Sequence, residues 1–237
     1  MKLSVILPCY NEKDNLPALF ERLDKLAEVK PDIEIVLVNN GSTDGSEEVF
    51  FQEVSKRNSD VFKICKVERN LGYGFGILSG LSAANGDVLS VTHADRQTDP
   101  LDVLKAFEIY KAHNNPSLLV KGFRKNRKIT EALFSYGMGC LASVVLGTRL
   151  TEINAQPKLF SLQFFNQYKD KAPFDFSLDL YFLYQAKKHG KIIDFPVYFA
   201  KRVAGEAKGG SGSTLKVKWK LIKRSFNYIF ELKRQLS

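Results

Sequence analysis

The chain opens with blocks of buried-strand and amphipathic-helix character in alternation. Leu3 to Leu7 is apolar apart from Ser4 and predicts a strand. From Asn15 to Glu28, Leu16, Leu19, Phe20, Leu23, Leu26 and Ala27 recur at steps that share one helix face, and Pro17 fits the first turn. Ile33 to Val38 predicts a second strand. Gly41 to Gly45 predicts a turn, with Ser42 or Asp44 capping a helix that runs through Val54. A third strand over Phe62 to Val67, a glycine-led helix from Gly72 to near Asn85-Gly86 and a fourth strand over Val88 to Thr92 follow. Next come a helix over Leu101 to Ala112, a strand over Leu118 to Val120 and an uncharged helical run over Ala132 to Thr148. A short strand over Lys158 to Ser161, a helix over Ser177 to Lys188 and a strand over Lys191 to Val197 complete the series. The repeated β-α order predicts parallel pairing with right-handed crossovers.

Past residue 200 the pattern changes. Gly205 to Ser213 is rich in glycine and serine and predicts a mobile loop. Beyond it Leu215, Trp219, Ile222, Phe226, Ile229 and Phe230 recur at helical steps, with Lys216, Lys218, Lys220, Lys223, Arg224, Lys233 and Arg234 largely between them. Such a helix suits an anionic lipid headgroup layer, or it packs its apolar side on the core and solvates the rest. The expected division is a domain over 1–212 and an amphipathic helix over 213–237. The uncharged run Ala132 to Thr148 falls short of the roughly 20 apolar residues a membrane span requires and contains Gly137, Gly139 and Gly147. It predicts a buried or interfacial helix, and no transmembrane span is expected.

With 237 residues, 44% of them hydrophobic, the chain can bury a sizeable core. A formal net charge of +9 favours anionic partners: nucleic acid, phosphate-bearing small molecules or anionic lipid. No RNA-recognition or helix-turn-helix signature accompanies the charge, so nucleic acid is not the expected partner. Cys9, Cys65 and Cys140 are widely spaced, suit a reducing compartment and lack zinc spacing. The apolar start is too short for a signal peptide. A cytoplasmic protein, peripheral at the inner face of a membrane, is the expectation.

Candidate chemistry gathers at strand ends. His93, Asp95 and Gln97 occupy alternate positions just after the fourth strand. On an extended chain they would offer one nitrogen and two oxygens on one side, a set suited to a divalent cation gripping a diphosphate. Ligands of open α/β sheets bind outside the carboxyl ends of the strands. Pro8-Cys9-Tyr10-Asn11-Glu12, Asn39-Asn40-Gly41-Ser42-Thr43-Asp44-Gly45, Arg69-Asn70-Leu71-Gly72-Tyr73-Gly74 and His93-Ala94-Asp95-Arg96-Gln97 follow one another in that setting. Their order and separation resemble the family 2 inverting glycosyltransferases of GT-A fold, in particular dolichyl- or undecaprenyl-phosphate sugar synthases. The likeness continues through Thr151 to Lys158 and Phe199 to Lys208.

The resemblance implies an α/β GT-A fold, a nucleotide-diphospho-sugar donor, Mn²⁺ or Mg²⁺, and an acceptor at the membrane surface such as a polyprenyl phosphate. It implies that Pro8, Tyr10 and Glu12 hold base and ribose, and that Asn40 stands where an acid usually touches the base. Asp95 matches the second Asp of the family's Asp-Ala-Asp. Gln97 matches a further polar ligand, Arg202 an arginine that steadies the diphosphate, and Lys208 lies with Arg202 on the loop that would close over the donor. Two departures stand out: Asn39-Asn40 replaces paired aspartates, and His93 replaces the first Asp of Asp-Ala-Asp. An amide can still accept from a base N–H. An imidazole can ligate Mn²⁺ but brings no negative charge, or it merely bonds a backbone group.

Asp179 resembles the acid that relatives place near the acceptor. It would be a general base for an alcohol, a positioning or metal-shell group for an already ionised phosphate, or simply an exposed helix acid. Lys121, Arg124, Lys125, Arg127 and Lys128 precede the uncharged helix, and the resemblance implies that basic residues here, Arg124 and Arg127 among them, hold an acceptor phosphate. The glycines at 72, 74 and 76 match neither phosphate-binding fingerprint and read as close helix–strand packing. Two functions therefore compete: a metal-assisted glycosyltransferase, with Asp95 and Asp179 in its chemistry, and a sugar-nucleotide-binding protein that has lost or altered catalysis.

Overall fold

A computed structural model of the chain describes residues 1–58, 60–126, 129–200 and 215–236, without the side chains at 129–131, 134, 215–222, 225 and 236. Strands β1 (Leu3–Cys9), β2 (Glu34–Asn40), β3 (Phe62–Val67), β4 (Val88–Val91), β5 (Leu118–Lys125), β6 (Lys158–Ser161) and β7 (Lys191–Tyr198) form one sheet in the order β3-β2-β1-β4-β6-β5-β7. Helices α1 (Leu16–Val29), α2 (Ser46–Val54), α3 (Tyr73–Ala83), α4 (Asp102–His113), α5 (Ile129–Leu146), α6 (Leu162–Tyr168), α7 (Leu178–His189) and α8 (Leu215–Leu236), with a short 3-10 helix at Lys169–Lys171 after α6, complete the described elements. Helix α6 has no counterpart in the expected series. Ser161 ends β6 and starts α6 by accepting the Phe164 N–H at 2.9 Å.

Strands β1 to β4 pair in parallel, as their β-α order requires, and so do β5 and β7. The exception is β6, antiparallel to both β4 and β5. Helix α5 and the segment after it therefore do not carry the chain across to the amino end of the sheet. β6 starts at the carboxyl edge, and residues 151–157 stay there.

Side-chain alternation splits the core in two. Leu3, Val5 and Leu7 of β1 face α1, α2 and α4 through Leu19, Phe20, Phe50 and Phe107. Ile6 of β1, with Val36 and Val38 of β2, faces α3, α5, α6 and α7. Gly80 of α3 makes that second layer thin, since a Cβ there would stand 2.5 Å from Val38 and 2.6 Å from Ile6. At the amino ends of the strands, fully buried Glu34 accepts from Ser4 Oγ, from Lys63 Nζ at 2.6 Å, and from Asn85 N and Nδ2 at 2.7 and 3.1 Å.

Of the two alternatives for the C-terminal helix, packing on the core holds for one of its faces. Tyr228, Ile229 and Leu232 are buried in the core shared with α5, so α8 packs on the body of the domain. Phe226 and Phe230, 5.3 Å apart, remain 41% and 42% exposed beside exposed Lys223, Arg224, Lys233 and Arg234. Helix α5 is likewise two-sided: Ala142 and Leu146 are buried, while Leu133, Tyr136 and Val144 face outward. No described helix is long and apolar enough to cross a membrane.

Candidate active site at the carboxyl edge of the sheet

The loops after β1 and β2 are laced together. Asn11 N–H donates to Ser42 Oγ at 3.1 Å, Asn11 Oδ1 accepts from Thr43 N at 2.8 Å, and Lys13 N–H donates to Asp44 Oδ2 at 3.1 Å. Asp44 also accepts the first helical N–H of α2, from Ser46 at 3.0 Å, with Gly45 between them at φ +82°. Pro8, next to last in β1, is half-buried opposite Val38, and Tyr10 is half-buried just beyond the strand. Glu12, by contrast, is buried and accepts from Asn15 Nδ2 at 2.6 Å at the start of α1. Its place in the fold is a helix entry.

The asparagines in place of acids are used internally. Asn39 Oδ1 accepts from Ser42 N at 3.0 Å, and its Nδ2 donates to Glu47 at 3.2 Å. Asn40 was expected to meet a base. Instead it is 3% exposed, donates to Gly72 O at 3.1 Å and packs where a Gly76 Cβ would stand, 2.7 Å away. Period-two alternation explains this, because Asn40 shares the α3-facing side of β2 with Val38.

The segment after β4 is not extended. β4 ends at Val91, Asp95 Oδ1 accepts from Gln97 N at 3.1 Å, and Arg96 has φ +61°. Thr92 and Thr98 hydroxyls close the base of this bend at 3.4 Å. Gln97 O accepts from Ala200 N at 2.8 Å, and Gln97 Nε2 reaches Ala200 O at 3.4 Å. The alternate-position argument for His93, Asp95 and Gln97 therefore fails on conformation, although the bend keeps all three at the sheet's rim. Burial lowers the His93 pKa more than Asp95 and Asp179 raise it, so the imidazole is neutral with a lone pair to offer. Burial, Glu12 and Asp95 push the Cys9 thiol well up, which leaves it protonated and unreactive.

Asp179 is not an exposed helix acid. It is 5% exposed in the first turn of α7, and its Oδ1 accepts from Lys158 Nζ at 2.7 Å and Gln156 Nε2 at 3.2 Å. Gln156 Nε2 also reaches Tyr73 OH at 3.4 Å, and its Oε1 is left unpartnered because the carboxylate fixes which way the amide turns. The glycines before α3 bring these groups together. Cβ atoms at Gly72 and Gly74 would lie 2.3 and 2.5 Å from the carbonyls of Phe174 and Pro173. Only bare backbone lets residues 173–175 pass this close; Phe75 N–H then donates to Phe174 O at 2.9 Å and Tyr73 stacks on Phe176 at 4.7 Å. That seam positions the start of α7 and hence Asp179. Packing was the expected role of these glycines, but Gly72 and Gly74 pack on a loop rather than a strand.

Basic residues also stand on β5 and at the start of β6. Lys121, 1% exposed, stands 3.0 Å from Asp194, and Arg124 Nε donates to Glu152 at 2.7 Å. Arg124 also lies over the Phe199 ring at 5.5 Å. Burial lowers the pKa of Lys158 and of Lys121, against the opposing pull of Asp179 and Asp194. Arg127, Arg202, Lys208 and the loop Gly205 to Ser213 lie outside the described residues. Lys158, Gln156 and Tyr73 were not singled out from sequence. The signal for Gln156 and Lys158 is their place on either side of Pro157, just before the apolar pair Leu159-Phe160.

Among the described residues no group of three His, Cys, Asp or Glu side chains could hold a metal ion. The rim instead supplies one imidazole and one carboxylate, His93 and Asp95. That set fits an ion bound by one or two protein ligands and otherwise by substrate phosphates, and not an all-protein cage.

A mostly parallel seven-stranded sheet flanked by helices is the architecture of the GT-A glycosyltransferases, with which this chain shares its fold. Residues 4–175 match the model of glycosyl transferase family 2, and the chain belongs to that family. It is 34% identical over 103 residues to an undecaprenyl-phosphate 4-deoxy-4-formamido-L-arabinose transferase of Photorhabdus laumondii, a match spanning 43% of this chain and 31% of the relative. The Klebsiella pneumoniae protein of that name is 33% identical over 108 residues, spanning 45% and 33%. The matched part is thus about a third of the relatives' length. Glucosyl-3-phosphoglycerate synthase from Mycobacterium tuberculosis, solved with Mn²⁺, UDP and phosphoglyceric acid, shares the fold at TM-score 0.71 and 16% identity, over 98% of this chain and 78% of that one. A mannosyltransferase from Pyrobaculum calidifontis, solved with GDP-Man and Mn²⁺, shares it at TM-score 0.61 and 19% identity, over 85% and 57%.

Proposed function

We propose that this family 2 glycosyltransferase moves a sugar, with inversion, from a nucleoside-diphosphate donor to an acceptor phosphate at a membrane surface, a polyprenyl phosphate being the fitting class. One observation carries the choice of acceptor: the Asp179 carboxylate is already engaged by a buried ammonium at 2.7 Å and an amide at 3.2 Å. An alcohol acceptor requires a base that takes its proton, and protonating Asp179 would strand Lys158. A phosphate arrives ionised and needs no base. Arg124, at the end of β5, offers the guanidinium for it. The relatives named for undecaprenyl phosphate support the same class.

His93 and Asp95 would hold the divalent ion, Mn²⁺ or Mg²⁺, with Gln97 bracing their bend against Ala200. When bound, such an ion neutralises charge on the leaving diphosphate. Pro8 and Tyr10 flank the nucleoside side of the rim. Arg202 and Lys208 would meet the diphosphate from the segment that follows Ala200. For the membrane, exposed Phe226 and Phe230 amid Lys223, Arg224, Lys233 and Arg234 support peripheral attachment to anionic lipid. Three free cysteines support the cytoplasmic side.

The test is a product assay with UDP-, GDP- and CMP-sugars, Mn²⁺ and undecaprenyl phosphate. Glycolipid should form with wild type and vanish in Asp95→Ala. Undiminished turnover in that variant sinks the assigned site. The internal use of Asn39 and Asn40 favours a second reading, a sugar-nucleotide-binding protein without transfer. Tight calorimetric binding of a donor with no product from any acceptor would establish it.

A further inference from the structure

Lys158 is buried at the first position of β6, and its register partner on β5 is Lys121, also buried. Opposed residues of an antiparallel pair share a face, so two ammonium-bearing side chains enter the same core side by side. Apolar residues of similar volume would be as stable or more so at such positions. The fold tolerates the pair because each lysine has its own acid from a different element: Asp179 from α7 for Lys158, and Asp194 from β7 for Lys121. Stability alone gives no reason for a lysine at 158.

Its contacts give one. Lys158 Nζ donates to Asp179 Oδ1 at 2.7 Å and to Ala155 O at 2.9 Å. Through Asp179 it meets Gln156, which reaches Tyr73 at the start of α3. One ammonium thus joins the entry of β6, the first turn of α7 and the glycine-led start of α3, three segments whose backbones otherwise meet as irregular loops at the rim.

We propose that Lys158 is a positioning residue for glycosyl transfer, which holds the Asp179 carboxylate in a single orientation toward the rim. The inference rests on the transferase reading above. Asp179 then needs no proton exchange during turnover and acts as a fixed negative group. Removing the ammonium leaves it buried without its counter-charge, free to turn or to take up a proton. Neither Lys158 nor its partner needs to touch the donor's base or ribose, so donor affinity should be insensitive to the change.

The experiment uses the full chain, Mn²⁺, the donor found by the screen and undecaprenyl phosphate. Lys158→Met should lower kcat about 100-fold, the scale on which small misplacements act, with donor KM and calorimetric UDP affinity within about threefold of wild type. Asp179→Asn combined with Lys158→Met should be no slower than Asp179→Asn alone, because the two residues act as one unit. The double variant should also regain the thermal stability lost in Lys158→Met without regaining rate, a split that a purely structural lysine would not produce. Lys158→Arg should recover part of kcat. If Lys158→Met does not fold, the double variant and Lys158→Arg carry the comparison, since neither leaves an unpaired buried carboxylate. A kcat for Lys158→Met within twofold of wild type, or multiplicative losses in the double variant, overturns the proposal while leaving the transferase reading intact. A wild-type chain that transfers nothing from any donor overturns both.

Discussion

Replacing Glu34 by Gln should be among the most destabilising near-isosteric changes in this protein, and its size follows from the contacts. The carboxylate is fully buried between β1 and β3, and both oxygens face only donors. Oε1 accepts from Lys63 Nζ and Asn85 Nδ2, and Oε2 accepts from Ser4 Oγ and Asn85 N. A glutamine keeps the shape but points an NH₂ at two of these donors. Losing two hydrogen bonds to a charged group, at about 1.5–3 kcal/mol each, agrees with the roughly 3–5 kcal/mol seen when a buried pair loses one partner. Lys63 is 38% exposed, which favours the lower half of that range. For a chain of this size, 3–5 kcal/mol corresponds to a drop in Tm of about 6–20 °C.

The pH dependence of this contribution has a definite sign. Burial pushes the Glu34 carboxyl up, but the hydrogen bonds from Asn85, Lys63 and Ser4 outweigh it and leave the folded pKa lowered. Stability from Glu34 is therefore fully present above the unfolded value of about 4.3 and is lost as pH falls through the lower folded value. Thermal unfolding followed by circular dichroism should show the full Tm gap between wild type and Glu34→Gln at pH 7, narrowing below about pH 4. A gap under 2 °C at pH 7, or one that acid does not shrink, would refute the assignment of Glu34 as a buried charged staple.

Gly74→Ala places a Cβ 2.5 Å from Pro173 O and 2.7 Å from Asp175 O; it should cost about 1–3 kcal/mol and reduce turnover further, because the displaced loop leads into Asp179. Retained full activity would contradict the role given to that seam. Asn40→Asp sets a buried carboxylate against Gly72 O, so urea unfolding should register a loss of about 2–3 kcal/mol rather than a gain in donor binding. Phe226→Ser with Phe230→Ser should change stability by less than about 1 kcal/mol, since both rings are largely outside the core. The same variant should lose flotation with anionic vesicles; unchanged flotation would remove these rings from the membrane reading, and binding to RNA in place of vesicles would reverse the choice of partner.

What the sequence settled by itself was local and periodic. Apolar runs in β1 to β4, helical spacing in α1 and α4, and the β-α order fixed an α/β sheet with parallel pairing, because burial periods of two and 3.6 are properties of the chain alone. The acidic and imidazole side chains of His93 and Asp95 were legible as a strand-end group for the same reason. Tertiary structure decided what those side chains meet. Asp95 bends residues 92–97 locally by accepting from Gln97 N, whereas the closure of that bend onto Ala200 joins segments about a hundred residues apart. β6 is antiparallel because α5 does not return the chain to the amino edge, and this choice alone delivers Lys158 and Gln156 to Asp179. Asn40 faces α3 by alternation alone, but only the tertiary structure sets Gly76 of α3 against it and so closes off its side chain. Pattern constrains which face is buried, whereas the pairing of charges across elements is fixed only when distant segments share one low-dielectric site.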